Sequence, residues 1–147
     1  MESDQEQLVG GEGVRVDEQG ARALIAGPGL VFFGNRICPF AHRAFWAAAE
    51  LGVDAQWTYV HIDLGPRKPA WFSAAVDPAG KVCCLCSYGQ PIFESLIVAE
   101  FLSDRQGGAL LPADAYTRAL ARLAIAKFDE TCKGPLYGLL MSKVGPY

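Results

Sequence analysis

A Cys-Pro-Phe-Ala run at residues 38–41 holds the side chain of this sequence that is best suited to covalent chemistry. The run follows an apolar stretch at 30–34, typical of a strand, and opens a stretch with helical periodicity at 39–51. Proline is favoured at the first helical position, because it lacks the N–H that would have no partner there. Cys38 is therefore the predicted N-cap residue. Unpaired N–H groups and the dipole at a helix N-terminus stabilise an anion, so the sequence predicts a nucleophilic thiolate.

This predicted site has a single thiol. The Cys38 sulfur is expected to face the backbone N–H groups of Phe40 and Ala41, and no second cysteine follows three residues later as in a Cys-x-x-Cys dithiol. His42 and Arg43 lie about one turn further along the helix and are candidates to support the thiolate. A solvated helix position is the more ordinary interpretation of both.

The other four cysteines are interpreted first as structural. Cys83, Cys84 and Cys86 share one apolar run, and Cys132 lies on a long predicted helix. Free cysteine is among the most buried residue types, which favours burial. Zinc ligand pairs usually have two or more residues between them, which argues against a zinc site in the first three. Five cysteines at irregular spacing are not typical of a secreted disulfide framework and indicate a reducing, cytoplasmic setting.

Composition excludes several classes of function. No apolar run reaches the ~18 residues of a membrane span, and the N-terminus lacks the pattern of a secretory signal, so no membrane partner is expected. Residues 1–30 carry six acidic and two basic residues, and the remainder carries ten acidic and eleven basic residues. A nearly neutral body without a basic stripe argues against nucleic acid as a partner.

The pattern of apolar residues and turns predicts alternating strands and helices. Predicted strands cover 30–34, 55–62, 81–86 and 91–93, and predicted helices cover 39–51, 67–76 and 95–106. Strand–helix–strand spacing at the start implies a parallel βαβ unit, and the short Tyr88-Gly89-Gln90 connection suits an antiparallel hairpin. The sequence therefore predicts an α/β fold.

Both ends of the chain differ from this α/β body. Residues 1–27 are interpreted as an acidic, flexible N-terminal extension, with a short lead-in or helical turn after its first half. Asp114 is the predicted cap of a helix at 115–131, and Gly134-Pro135 is expected to break that helix before another one starts at 136. The long helix carries a stripe that is expected to face the core: Leu120, Leu123, Ala124, Ile125 and Phe128.

Four motifs resemble the thioredoxin-like domain of glutathione transferases, and the likeness is greatest to the omega class and related cysteine-type thiol transferases. They are Ile37-Cys38-Pro39-Phe40-Ala41-His42-Arg43, Lys68-Pro69-Ala70-Trp71-Phe72, Asp77-Pro78-Ala79-Gly80-Lys81-Val82 and Ile92-Phe93-Glu94-Ser95. The resemblance implies a thioredoxin-like β-α-β-α-β-β-α domain at 28–106, a linker at 107–114 and a partial all-helical C-terminal domain at 115–147. Family members run well beyond two helices there, so the resemblance implies that the chain is truncated, an isoform or a fragment.

The resemblance also implies a role for each motif. Cys38 would be the catalytic nucleophile that forms a mixed disulfide with glutathione, the co-substrate, and no metal is expected. The implied glutathione-binding residues are Phe40, Lys68, Val82, Glu94 and Ser95. The Val82 backbone would pair with the cysteinyl unit, Lys68 would meet the glycine carboxylate, and Glu94 and Ser95 would hold the γ-glutamyl end. A helix N-terminus at Ser95 suits a carboxylate, although Ser95 as a plain N-cap is also a complete structural explanation.

The chain departs from the family at position 83. The family places a cis-proline after the valine that matches Val82, and this chain has Cys83 there. A cis bond before another residue costs about 2.5–4 kcal/mol, so the 82–83 bond is expected to be either strained or trans. A trans bond would redirect the Val82 backbone and weaken glutathione docking. We also hypothesise that Cys83 is a second redox thiol, which forms a disulfide or shares a metal with Cys38.

These inferences favour a cytoplasmic, glutathione-dependent thiol transferase or reductase, with deglutathionylation or dehydroascorbate-type reduction as its chemistry. Its partners would be small-molecule thiols and disulfides. A homodimer is left open, although the short helical part argues against it. Two alternatives also stay open: a non-catalytic binding module that keeps the fold, and a redox switch between Cys38 and Cys83.

Overall fold

The computed structural model describes residues 13–144, apart from the side chains of Met141, Lys143 and Val144. Within this part the four strands are β1 Leu30–Gly34, β2 Trp57–His61, β3 Cys84–Ser87 and β4 Gln90–Phe93. The α-helices of the same part are α1 Glu18–Ala26, α2 Pro39–Glu50, α3 Ala70–Ala75, α4 Ser95–Arg105, α5 Ala115–Thr131 and α6 Lys133–Val144.

The strands form one mixed sheet in the order β2-β1-β3-β4. β1 is parallel to β2 and antiparallel to β3, and β4 is antiparallel to β3. Every residue of β1 is buried, because helices cover both faces of the sheet. Phe32 packs against Phe45 of α2 on one face, and Phe33 packs against Phe72 of α3 on the other. This architecture confirms the predicted thioredoxin-like α/β fold.

The predicted α/β elements all occur, with differences at their ends. The helix predicted at 67–76 is a 3-10 turn at Gly65–Arg67 followed by α3. Lys68 between them is extended, as expected for a residue that precedes a proline. The hairpin turn contains Tyr88 and Gly89, and β4 already begins at Gln90.

The short helical turn predicted in the second half of the extension at 1–27 is present as the helix α1. Its N-cap is Asp17, whose carboxylate accepts a hydrogen bond of 2.8 Å from the backbone N–H of Gly20. Ala21 is completely buried, and α1 packs against α3. Two of the acidic residues of the extension, Asp17 and Glu18, lie at the N-terminus of this helix, where negative charge is favourable, so this stretch belongs to the folded domain. The first twelve residues of the predicted extension lie outside the described part of the chain.

The helix α5 matches its predicted bounds, but its stripe does not face a core. Asp114 caps it as predicted, by accepting a hydrogen bond of 2.7 Å from the N–H of Thr117. None of its residues is buried, and Leu123 is 55% exposed. The main packing partner of α5 is α6, and two helices alone leave most of an apolar stripe uncovered.

The break after α5 lies at Cys132 rather than at Gly134-Pro135. Pro135 falls in the first turn of α6, where its missing N–H needs no partner. The prediction of a second helix is therefore confirmed, with an earlier start.

Candidate functional site

Cys38 occupies the predicted N-cap position of α2. Its backbone is extended, with φ −80° and ψ 115°, and Pro39 is the first helical residue. The sulfur makes none of the expected hydrogen bonds to N–H groups of the first turn. It lies instead 4.0 Å from the carbonyl oxygen of Val82, and Cys38 is only 8% exposed. The thiol is thus directed towards the loop that precedes β3.

Asn35 shapes the turn between β1 and Cys38. Its buried side-chain amide donates a hydrogen bond of 2.8 Å to the carbonyl of Ile62, and its Oδ1 accepts one of 3.0 Å from the N–H of Ile37. Its backbone carbonyl accepts a further bond of 3.1 Å from the N–H of Cys38 itself. The end of β1 is therefore tied to the residue that follows β2, and the position of Cys38 is set by both strands.

The peptide bond between Val82 and Cys83 is cis, so the trans alternative considered for this bond is wrong. The loop before it is organised by the buried side chain of Asp77. Its two carboxylate oxygens accept hydrogen bonds of 2.9 Å from the N–H of Ala79 and 3.0 Å from that of Lys81. This loop brings the Val82 backbone next to the Cys38 sulfur.

The surroundings of Cys83 hold its thiol in the protonated form. Burial, with smaller contributions from the charges of Cys38 and Glu94, raises the pKa of Cys83 to about 12, against the opposing effects of a backbone hydrogen bond and of Arg43. At neutral pH the Cys83 thiol is therefore a poor nucleophile. The same electrostatic interactions indicate that Cys83, Cys38 and Arg43 share one neighbourhood.

The other three cysteines lie in β3 and at the end of α5. Cys84 and Cys86 are buried in β3 with their sulfurs 4.0 Å apart, and their mutual hydrogen bond together with burial raises the pKa of Cys84. Cys132 is half-buried between α5 and α6.

Within residues 13–144 no group of three or more histidine, cysteine or carboxylate side chains is arranged to hold a metal ion. In the same part of the chain, no helix combines the length and apolar character needed to cross a membrane.

Glu94, rather than Ser95, is the N-cap residue of α4. Its φ of 67° lies in the left-handed region, which residues other than glycine occupy mainly where the surroundings demand it. The Glu94 side chain makes no capping hydrogen bond and is exposed. Ser95 is the first helical residue, is buried, and accepts a long hydrogen bond of 3.5 Å from Nη1 of Arg43. The interpretation of Ser95 as a plain N-cap is therefore wrong.

Two of the remaining predicted site residues make contacts that were not expected. The ammonium group of Lys68 donates a hydrogen bond to the carbonyl of Gly80, so Lys68 lies against the loop that leads to Val82. The ring of His42 hydrogen-bonds to the carbonyl of Arg36 and packs on aromatic rings of its own helix. The contacts of His42 are thus with the loop and the helix, and none of them is with the Cys38 sulfur.

Phe40 lies where α6 approaches the start of α2. Its ring centroid is 6.0 Å from that of Tyr137, 5.5 Å from the guanidinium carbon of Arg43 and 5.9 Å from the ammonium nitrogen of Lys133. Both cations are at distances typical of cation–π contacts. The C-terminal helices therefore border the N-terminal end of α2, two residues from Cys38.

Comparison with known proteins identifies the family of this arrangement. The profile of the family described as "Glutathione S-transferase, N-terminal domain" matches residues 37–105. "Glutathione S-transferase omega-1" of Sus scrofa is 37% identical over 105 residues, which cover 70% of this chain and 41% of the pig protein. The crystal structure of glutathione transferase Omega 2C from Trametes versicolor matches with a TM-score of 0.64 and 31% identity, over 70% of this chain and 49% of that one.

Residues 37–105 belong to the glutathione transferase family, as its N-terminal domain. A theta-class glutathione S-transferase from Xanthomonas axonopodis pv. citri, solved with glutathione bound, matches with a TM-score of 0.69 at 25% identity, over 82% of this chain and 58% of that one. The chain thus spans about half the length of the relatives it matches. Omega-class proteins are among the relatives found by sequence and by structure, as the motifs had suggested.

One prominent contact of this chain was missed from the sequence. Both Nη atoms of Arg43 donate hydrogen bonds to the carboxylate of Asp129 on α5, with a distance of 3.2 Å for Nη1. The hydrogen bond from Arg43 holds the pKa of Asp129 below its usual range. The two residues are 86 positions apart, and no local pattern signals such a pair.

Proposed function

We propose that this glutathione transferase is a cysteine-type thiol transferase in which Cys38 is the nucleophile. The observation that carries the proposal is the position of Cys38 at the N-terminus of α2, with its sulfur beside the Val82 carbonyl. The N-terminal end of a helix dipole attracts negative charge, and a thiol attacks a disulfide as its anion. The family membership of residues 37–105 supports glutathione as the co-substrate.

In deglutathionylation, the Cys38 thiolate attacks the glutathione sulfur of a mixed disulfide substrate. A bond between Cys38 and glutathione forms as the substrate disulfide breaks, and the substrate leaves as a thiolate that takes up a proton from water. A second glutathione, as its thiolate, then attacks the bound glutathione sulfur. Glutathione disulfide is released and Cys38 returns as a thiolate. The substrate is reduced, and the two glutathione molecules are oxidised to their disulfide.

The same proposal assigns the glutathione subsites. The Val82 backbone lies beside the thiol and would pair with the cysteinyl unit, next to Phe40. Ser95 at the start of α4 would receive the γ-glutamyl carboxylate, and the exposed Glu94 would meet the ammonium group. Lys68 would bind the glycine carboxylate by sharing its ammonium group with the Gly80 carbonyl.

The proposed function also includes a class of substrates and a cellular setting. The acceptors are small-molecule disulfides and mixed disulfides, and dehydroascorbate-type reduction would use the same thiol. A cytoplasmic setting, where glutathione is kept reduced, fits a chemistry that consumes reduced glutathione. No step of this chemistry requires a metal ion.

The test is intact-mass and peptide mass spectrometry after the full chain is mixed with glutathione disulfide. We expect one glutathione on Cys38, removable by reduced glutathione, and none in Cys38→Ser. Cys132→Ser is the matched control, because Cys132 lies outside the site, and it should be modified like the wild type. An unmodified Cys38 would contradict the proposal and favour a non-catalytic module.

A redox switch is the second candidate, and the proximity of Cys38 and Cys83 favours it. After Cys38 has formed a mixed disulfide with glutathione, the Cys83 sulfur would displace glutathione and form an internal disulfide, losing its proton to the departing thiolate. The high pKa of Cys83 slows this step. The same mass spectra distinguish the two candidates, because the switch gives a Cys38–Cys83 linked peptide without retained glutathione.

A further inference from the structure

The contact between Arg43 and Asp129 joins the α/β domain to the helical part beside the candidate site. Both guanidinium Nη atoms of Arg43 donate to the Asp129 carboxylate, and each of the two side chains is only 22% exposed. A two-pronged, partly buried pair of this kind fixes geometry far better than an exposed ion pair. Asp129 therefore determines where the Arg43 guanidinium lies.

The same guanidinium reaches the start of α4. Its Nη1 is 3.5 Å from Oγ of Ser95, and its charge lowers the pKa of Cys83 against the effect of burial. The Phe40 ring faces the guanidinium carbon at 5.5 Å. Arg43 is thus held between α5, Phe40 and the helix N-terminus at which the proposed function places a carboxylate.

The charge of the cluster suits an anion. Asp129 lies between two cations, Arg43 and Lys133, whose ammonium nitrogen is 3.8 Å from the Asp129 carboxylate. The exposed Glu94 is a neighbouring acid, and the proposed function gives it the ammonium group of the same ligand. Since Asp129 neutralises one of the two cations, the Arg43–Asp129–Lys133 cluster keeps a net positive charge.

We propose that Arg43 binds the γ-glutamyl carboxylate of glutathione next to Ser95, and that Asp129 is the positioning residue that holds Arg43 there. The inference rests on the proposed function and names two further residues of its site. The α5 helix then contributes to glutathione binding through a charge pair, without itself touching the ligand.

The test is calorimetric titration of the reduced full chain with reduced glutathione. Asp129→Asn keeps the shape of the side chain but removes its charge, so Arg43 loses its fixed position. We expect Asp129→Asn to bind glutathione about three- to tenfold more weakly, which is the effect of weakening one charge-assisted hydrogen bond. Asp129→Glu should restore much of the affinity, and Arg43→Gln should weaken binding at least as much as Asp129→Asn.

The chain offers a matched control in the pair of Arg122 and Glu100. This pair joins α5 to α4, whereas Arg43 and Asp129 join α5 to α2. Nη2 of Arg122 is 2.7 Å from Oε2 of Glu100, and Glu100 lies more than one turn beyond Ser95. Glu100→Gln should leave glutathione affinity unchanged. If Glu100→Gln and Asp129→Asn lose equal amounts of glutathione affinity, Asp129 only helps to dock α5, and the inference is overturned.

An analogue of glutathione with an amidated γ-glutamyl carboxylate locates the effect. The difference between wild type and Asp129→Asn should disappear with this analogue, because the group that Arg43 binds is gone. A difference of the same size with both ligands would contradict the assignment. If the wild type binds no glutathione, the proposed function fails and the inference fails with it. If the wild type binds and Asp129→Asn binds equally well, the inference alone fails.

Discussion

At the scale of single residues, Cys38 and Cys83 are both buried at the same end of the sheet, but they occupy different places in the secondary structure. Cys38 follows β1 and precedes a helix, so the N-terminal dipole of α2 acts on its sulfur. Cys83 precedes β3, which pairs antiparallel with β1, and burial disfavours its charged form. Cys83 is therefore suited to remain protonated, and the proposed function gives the attack to Cys38.

This difference predicts how alkylation of Cys83 depends on pH. Only the thiolate reacts, and with a pKa of about 12 on the order of one Cys83 in ten thousand is thiolate at pH 8. Labelling of Cys83 by iodoacetamide should therefore be far slower than that of Cys132 at pH 8, and should rise about tenfold for each pH unit up to about 11. Peptide-resolved mass spectrometry of the reduced native chain measures both rates. Equal labelling of the two thiols at pH 8 would contradict the effect of burial.

At the scale of secondary-structure elements, α1 is the clearest test of whether the region before β1 belongs to the folded domain. Ala21 is completely buried, whereas Ala23 on the same helix is exposed. Ala21→Leu should lower the free energy of unfolding by about 1–3 kcal/mol, because extra methyl groups do not fit a packed contact. Urea unfolding measures the loss, and Ala23→Leu is the matched control with almost no change. Similar stabilities for the two variants would mean that α1 is not packed in solution.

Elements whose signals are local could be predicted from the sequence, and contacts between distant elements could not. Three features depend only on neighbouring residues and were predicted correctly: the alternation of strands and helices, the N-cap at Cys38 and the N-cap at Asp114. Asn35 was missed, because an asparagine after a strand has many ordinary explanations, and its partner Ile62 is 27 residues away. Periodicity identified the apolar side of α5, but it carries no information on whether another element covers that side.

At the scale of the whole molecule, an α/β domain with a buried core carries two helices with apolar surfaces. Among the described side chains of α5 and α6, the large apolar ones that are exposed are Tyr116, Leu120, Leu123, Phe128, Leu136, Tyr137, Leu139 and Leu140. Large exposed apolar patches commonly mark surfaces that pack against other protein elements. The chain also spans only about half of its relatives' length. The stability of the described fold should therefore come from the α/β domain and little from the outer side of α5.

Replacing one leucine in each region tests this division. Leu123 on α5 is 55% exposed, whereas Leu102 on α4 is 2% exposed. Leu123→Gln should change the free energy of unfolding by less than about 0.5 kcal/mol, because an exposed side chain loses few contacts. Leu102→Ala should cost about 2–5 kcal/mol through the cavity it leaves. Urea unfolding compares the two variants with the wild type, at protein concentrations that differ at least tenfold. If Leu123→Gln lowers the free energy of unfolding strongly, and more so at higher protein concentration, another copy of the chain covers α5 in solution. A large loss that does not depend on concentration would contradict the exposed position of Leu123.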